Sequence, residues 1–328
     1  MSKTKVALIG CGRIATTHLQ ALKTIEEVEF AGVADENPEA AASFAASAGC
    51  KPYTDFREML DKESPEVVCV CTPPVTHPEI AIHALEHGSH VLCEKPFAIH
   101  TVCASKMVDA AEKAGRYLTM ASKFRFVEDV SKAKELVEQG VLGRMVLAEV
   151  AFCGRADMHG RWNSDSALSG GGVLIDNGSH AVDIIRYLLG PVSRVQAQHG
   201  RNIQNLPVED TSMVFVETTE GVWGRIDLSW SIEKNHDAYI CMHGNEGMLV
   251  VGWKSSRYRR YDSQEWTTFG NGYNKLSAFT NQHKNFIDSI HGRAKPVINA
   301  NDSFESVRVI EVAYRSSALN KWIEVARV

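Results

Sequence analysis

Short apolar runs alternate with amphipathic stretches through the first 122 residues. KVALIG (5–10), VEFAGVAD (28–35), VVCVCT (67–72), HVLCEKP (90–96) and a run over 117–122 have strand length and little polar alternation. Between them, helical patterns cover Arg13 to about Thr24, the Ala-rich PEAAASFAASAG (38–49), PEIAIHALEHG (78–88) and about 100–114. Near-continuous apolar strands separated by helices are those of a parallel sheet covered on both faces. After residue 123 the pattern changes. A helix over about 127–139 and a strand around 144–153 lead to a glycine-rich helix, and then strand follows strand from about 193 to 269, with turns at TEG (219–221) and GNEG (244–247). That reads as a largely antiparallel sheet. Two amphipathic helices (about 275–291 and 302–318) and a short strand, WIEV, close the chain. The predicted fold is α/β, with a doubly wound parallel sheet in residues 1–122. An α+β domain follows over 123–328, with a large, mostly antiparallel open sheet that binds substrate and mediates oligomerisation. The closing helix is expected to pack back on the first domain.

Composition narrows the function classes. A chain of 328 residues suits about two domains, and 44% hydrophobic with 23% charged residues is an ordinary globular balance. A net charge of −5 argues against a nucleic-acid binder, which needs a basic face. No apolar run reaches the roughly 18 residues of a membrane span. The strand pattern begins by residue 5, so no signal peptide and a cytoplasmic location are expected. The eight cysteines form no CxxC pair and are expected to be reduced and mostly buried. His77, His83, His87 and His90 have no companions at metal-ligand spacing, so no metal is expected. RYRRY (257–261) could suit a phosphate or nucleic acid, but its surroundings read as an exposed strand.

Gly10-Cys11-Gly12-Arg13-Ile14-Ala15 is GxGxxA, placed between the first strand and the first helix. There the first glycine makes the tight turn, the second admits a pyrophosphate, and the small third residue lets helix and strand pack closely. This marks the first domain as a Rossmann-type dinucleotide-binding domain. Asp35 ends the second strand, where a carboxylate accepts from ribose hydroxyls and repels a 2′-phosphate. Glu36 and Asn37 follow with no cation, so NAD is favoured over NADP. The alternative role for Asp35 is to cap the helix beginning at Pro38. Thr72-Pro73 and Glu94-Lys95 end two further strands on the ligand side of such a sheet. Taken alone, Glu94-Lys95 is equally a surface ion pair.

In GGGVLIDNGSHAVD (170–183), Asp176 and His180 stand at i and i+4, one turn apart on a helix face. They suit either a cap with a packed histidine or an acid–base pair. GCGRIA, HGSHVLCEKPFA (87–98) and GGGVLIDNGSHAVDII (170–185), in that order, resemble the Gfo/Idh/MocA oxidoreductases along essentially the whole chain. The resemblance implies that Lys95 contacts nicotinamide ribose and substrate, that Asp176 orients substrate, and that His180 transfers the hydroxyl proton. The glycines would let the loop lie against the nicotinamide pocket, and Asp183 would be structural. The expected cofactor contacts are Gly10, Gly12, Arg13, Ile14, Asp35, Thr72, Pro73, His77, Glu94 and Lys95. Arg125, Trp162 and Asn163 are substrate-lining candidates beside Asp176 and His180. Family members often carry Trp-Arg before the glycines; here Trp162-Asn163 stands instead, so the loop 154–169 should shape its pocket differently.

The implied activity is hydride transfer between NAD and a secondary hydroxyl of a sugar, sugar derivative or cyclitol. Two alternatives use the same fold: a glycoside hydrolase working by transient oxidation and elimination, and a non-catalytic dinucleotide sensor. Expected partners are a small polyhydroxylated substrate and further copies of the chain, as homodimer or homotetramer, without nucleic acid or membrane.

Overall fold

The structure is a computed structural model that describes residues 3–234 and 237–326. It divides into two compact units, Met1–Lys123 with Leu276–Glu305, and Phe124–Lys275 with Ser306–Val328. The sequence places a single boundary after residue 122. The structure also returns 276–305 to the first unit, because Phe286 and Ile287 join the apolar core around Leu8, Leu19 and Leu92.

The first unit runs β1 (Thr4–Ile9), α1 (Arg13–Leu22), β2 (Val28–Ala34), α2 (Pro38–Ala48), β3 (Lys51–Tyr53), α3 (Phe56–Glu63), β4 (Val67–Val70), α4 (His77–Glu86), β5 (His90–Cys93), α5 (Thr101–Ala114) and β6 (Leu118–Met120). The six strands form one parallel sheet in the order β3-β2-β1-β4-β5-β6. All four residues of β4 and of β5 are buried, as the unbroken apolar runs predict. The pattern did not reveal β3 or α3. The first is a three-residue edge strand containing Pro52, tolerated only at an edge, and the second buries only Met59 and Leu60.

The second unit begins with a 3₁₀ turn, α6 (Glu128–Glu138) and β7 (Met145–Cys153), then α7 (Ser166–Ser169) and α8 (Val173–Leu189). Next come β8 (Val192–His199), β9 (Thr211–Thr218), β10 (Trp223–Ser229), β11 (Ala238–Gly244), β12 (Gly247–Gly252), β13 (Ser256–Arg260) and β14 (Thr267–Gly270). The chain then forms α9 (Lys275–Ile290), which falls in the first unit but for Lys275, and α10 (Ala300–Leu319), which belongs to the second from Ser306 on, and β15 (Ile323–Glu324) joins the same sheet. Its nine strands run β14-β13-β12-β11-β7-β10-β9-β8-β15, all antiparallel neighbours except β7 and β10. Helix α8 packs on one face: a Cβ on Gly178 would press on Leu228 of β10, and one on Gly224 would meet Ile185 of α8. No helix among the described residues is long and apolar enough to cross a membrane.

Candidate functional site

Dinucleotide-binding sheets of this order receive their ligand beyond the strand ends where β1 and β4 part. Gly10 stands there with φ +91°, and a Cβ on it would come within 2.8–2.9 Å of the Cys71 carbonyl and Thr72 nitrogen. Glycine is therefore required both by the turn and by the approach of β4. Gly12 has open space where its Cβ would be, and no side chain caps the first turn of α1. Ala15 is fully buried, so the helix lies close to the sheet. An open glycine at an uncapped helix start is the cradle a pyrophosphate needs, so these residues fit a dinucleotide. Arg13 is exposed and Ile14 partly buried at the same turn. Asp35 accepts from Cys11 N (2.7 Å) and Asn37 N (2.9 Å), tying the glycine loop to the end of β2. The cap of α2 is Asn37, which accepts from Glu39 N and Ala40 N; the alternative role weighed for Asp35 belongs to its neighbour.

At the end of β5, Lys95 is partly buried and precedes a cis peptide to Pro96. Glu94 is no surface partner. It is 6% exposed, with Oε1 2.8 Å from His18 Nε2 and Oε2 accepting from Lys95 N at 3.0 Å. Burial alone would raise the Glu94 pKa. The hydrogen bond and charge of His18, with Lys95 and Lys123, outweigh it and hold the carboxyl below its ordinary value. His77 is also buried, its ring nitrogens at 2.9 Å from Thr72 O and 3.0 Å from Pro96 O. His77 and Glu94, both expected beside the cofactor, brace the main chain of the Thr72-Pro73 and Lys95 turns.

In the second unit, the three glycines are required by the chain's own packing. Gly170 is left-handed (φ +81°) and ends α7, a Cβ on Gly171 would collide with the Tyr314 hydroxyl, and one on Gly172 would collide with Glu209 O. The glycine run is a tight crossing of the chain's own backbone. Glu209 Oε1 accepts from Leu174 N (3.0 Å), both its carboxylate oxygens lie 3.1 Å from Gly172 N, and Tyr314 Oη donates to Oε1 at 2.7 Å. A carboxylate at a helix N-terminus satisfies free N–H groups and complements the dipole. The helix so anchored carries partly buried Asp176 in its first turn and His180, 8% exposed, one turn on. The His180 ring meets the edges of Phe124 (5.1 Å) and Phe152 (6.4 Å), and Tyr239 and Trp253 continue the aromatic layer.

Arg125, a substrate-lining candidate, is paired within the second unit. It is 5% exposed and holds Asp183 through Nε (2.9 and 3.1 Å) and Nη2 (2.6 Å), with its guanidinium 5.2 Å from the Tyr187 ring. This two-nitrogen pair ties the 3₁₀ turn to α8 through Asp183. Trp162 (39% exposed) and Asn163 lie in a 3₁₀ turn of the 154–169 loop. Of the cysteines, Cys69, Cys71 and Cys93 are buried and the other five only partly, fewer than expected. Arg257 and Arg259 of RYRRY lie 4.6 and 5.4 Å from the Trp266 ring on β13, a strand as predicted.

Sequence reasoning missed Glu209 and Tyr314, which carry no local signal. It also missed His18, although a histidine on the apolar face of Ala15, Leu19 and Leu22 already calls for a buried partner. That partner set includes His283, whose Nε2 is 2.8 Å from His18 Nδ1. His18, Cys69 and His283 are the one metal-like group among the described residues. Two nitrogens on a tetrahedral zinc stand about 3.3 Å apart, so the shorter contact is a hydrogen bond.

Residues 4–122 match the oxidoreductase family with the NAD-binding Rossmann fold, and residues 130–250 the GFO/IDH/MocA C-terminal domain. The chain is 36% identical to the D-glucoside 3-dehydrogenase of Escherichia coli (strain K12) over 252 residues, 76% of this chain and 69% of the relative. It is 30% identical to the glucose-6-phosphate 3-dehydrogenase of Bacillus subtilis (strain 168) over 226 residues, 68% of this chain and 64% of that relative, just under two thirds. The fold is that of a levoglucosan dehydrogenase solved with NADH, with a TM-score of 0.93 at 23% identity and 100% of both chains covered.

Proposed function

The chain belongs to the Gfo/Idh/MocA oxidoreductase family, and from that premise we propose that it oxidises a secondary hydroxyl of a sugar, sugar derivative or cyclitol with NAD. The observation that carries this reading is the pairing of an open glycine cradle at the β1–β4 switch point with Lys95 at the end of β5. Bound NAD would supply the hydride acceptor. The residues of the chain do the rest. The imidazole of His180 takes the hydroxyl proton, Asp176 orients the substrate, and the Lys95 ammonium stabilises charge developing on the oxygen. Trp162 and Asn163 remain candidates for lining the substrate. Asp35, with no cation beside it, supports NAD over NADP.

Two of the relatives above are named 3-dehydrogenases of glucose derivatives, which makes glucosides the first substrates to try. Their dehydrogenase names also leave the hydrolase alternative without favour. A panel of sugars, glucosides, sugar phosphates, sugar acids and inositols, incubated with NAD, should give net NADH with at least one class. An enzyme that releases aglycone without net NADH, or is inert across the panel, would sink the reading. We further place the protein in the cytoplasm as a homodimer or tetramer. On the sheet face away from α8, Met213 and Trp223 are 40% and 42% exposed, apolar area that a second copy would cover.

A further inference from the structure

Two buried imidazoles and a buried carboxylate stand behind the Lys95 turn and take no part in the chemistry just described. We propose that His18 is a positioning residue for Lys95: acting through Glu94, it fixes the main chain that carries the lysine, while His283 fixes His18. The proposal rests on the reading that Lys95 serves the substrate.

The geometry is a chain of single choices. Glu94 gives one oxygen to His18 Nε2 (2.8 Å) and the other to the N–H of Lys95 (3.0 Å). Rotating the carboxylate away from His18 would therefore also release the lysine's own backbone. His18 is held in turn. Its Nδ1 is 2.8 Å from His283 Nε2, and its ring edge meets Phe279 at 4.8 Å. His18 and His283 are 0% and 1% exposed, so water offers no substitute partner.

Protonation follows from the surroundings. Burial opposes charge on His18, while the Glu94 carboxylate 2.8 Å from its Nε2 favours it. Burial lifts the Cys71 thiol well above its ordinary value, so near neutral pH the negative charge is that of Glu94. Burial, and then the His18 charge, put His283 well below the usual histidine range. A carboxylate can only accept, so His18 Nε2 carries the proton given to Glu94, and a second proton is shared between His18 Nδ1 and His283 Nε2. The pair joins α1, the helix that opens at the dinucleotide cradle, to the turn at the end of β5.

The test compares His18→Phe, Glu94→Gln and the double variant in the full-length enzyme. The readouts are turnover with the sugar that the NAD panel identifies, NADH affinity, melting temperature, and amide hydrogen exchange at Lys95. His18→Phe should lower kcat by about 10²-fold, as small displacements of a positioned group do, with KM and NADH Kd changed far less. Exchange at Lys95 should quicken while the β4 and β5 amides stay protected. His18→Phe strands a buried carboxylate, so its melting temperature should fall, and adding Glu94→Gln should restore it. The double variant should nevertheless remain slow. A kcat that recovers together with the melting temperature would make the pair structural only and overturn the proposal. Unchanged Lys95 exchange in a folded variant would do the same. If His18→Phe does not fold, the near-isosteric Glu94→Gln carries the decision on the same exchange readout. Because that readout needs no substrate, it separates this proposal from the dehydrogenase reading itself.

Discussion

In the first unit, the candidate residues stand where neighbouring parallel strands stop, and the same short motifs that name them also place them. Gly10 turns because β4 leaves it no room for a side chain, and Lys95 follows β5 directly. In the second unit, Asp176 and His180 ride on one helix whose start is tied down by Glu209, 37 residues from Gly172, and by Tyr314, a further 105 residues along. Strand ends make a site from local sequence. A helix on an open sheet needs distant parts of the chain to say where it begins.

The largest effects should fall on the two groups assigned to chemistry, one in each unit. His180→Ala should lower turnover by roughly 10²–10⁴-fold with little change in cofactor affinity, since the imidazole is assigned to the substrate. Lys95→Ala should cost at least as much and also weaken NADH binding. Turnover per folded active site, measured beside thermal stability, decides. Near-normal turnover in folded His180→Ala would return Asp176 and His180 to a capping carboxylate and a packed histidine.

Next in size is the anchoring of α8. Gly172→Ala forces a Cβ into the Glu209 backbone, and overpacking of this kind costs about 1–3 kcal/mol. Tyr314→Phe removes only one hydrogen bond to Glu209 and should cost about 1 kcal/mol. Denaturant unfolding of both variants gives the order. If Gly172→Ala were as stable as the parent, the close crossing would not explain the glycines. The matching change in the first unit, Gly10→Ala, should cost stability in the same way, because its Cβ would meet the Cys71 backbone from a left-handed turn.

The contrast accounts for what could be read in the sequence. Apolar strands and helix periodicity placed most of the first sheet, because its strands are buried on both faces and leave no other pattern. They passed over β3 and α3, whose burial is slight, and could not show that β7 and β10 run parallel, since pairing between distant strands leaves no local mark. Motif spacing singled out Lys95, Asp176 and His180 but could not show which neighbours in space hold the other candidates. Arg125 is held by Asp183, His77 by two carbonyls, and Glu94 by His18. A charged or polar side chain in a site motif looks the same in sequence whether it faces the ligand or holds the residue that does.

Cofactor choice tests the first unit at smaller scale. Asp35 should make NADH bind at least about tenfold more tightly than NADPH, a difference of about 1.4 kcal/mol. Because Asp35 also accepts from Cys11 N, Asp35→Asn is the informative change: it keeps an acceptor for the loop and removes the charge. The gap between the two cofactors should narrow while NADH affinity falls modestly. Equal binding of both cofactors by the parent enzyme would defeat the assignment.

The smallest effect belongs to the basic strand of the second unit. Arg257 and Arg259 both face Trp266, so their charges are spent on an aromatic ring just ahead of β14. A cation–π contact at an exposed site is worth about 0.5–1 kcal/mol, and the two arginines share one ring. Arg259→Ala should therefore lower the melting temperature slightly and leave turnover and NADH affinity as they were. A phosphate or nucleic-acid role predicts something else: the same substitution would raise KM for sugar phosphates but not for the free sugars, or abolish a salt-sensitive binding of nucleic acid. Measuring KM for a glucoside and for a glucose phosphate with the parent and Arg259→Ala separates the two. A selective loss for the phosphate would move this strand from the scaffold into the binding surface.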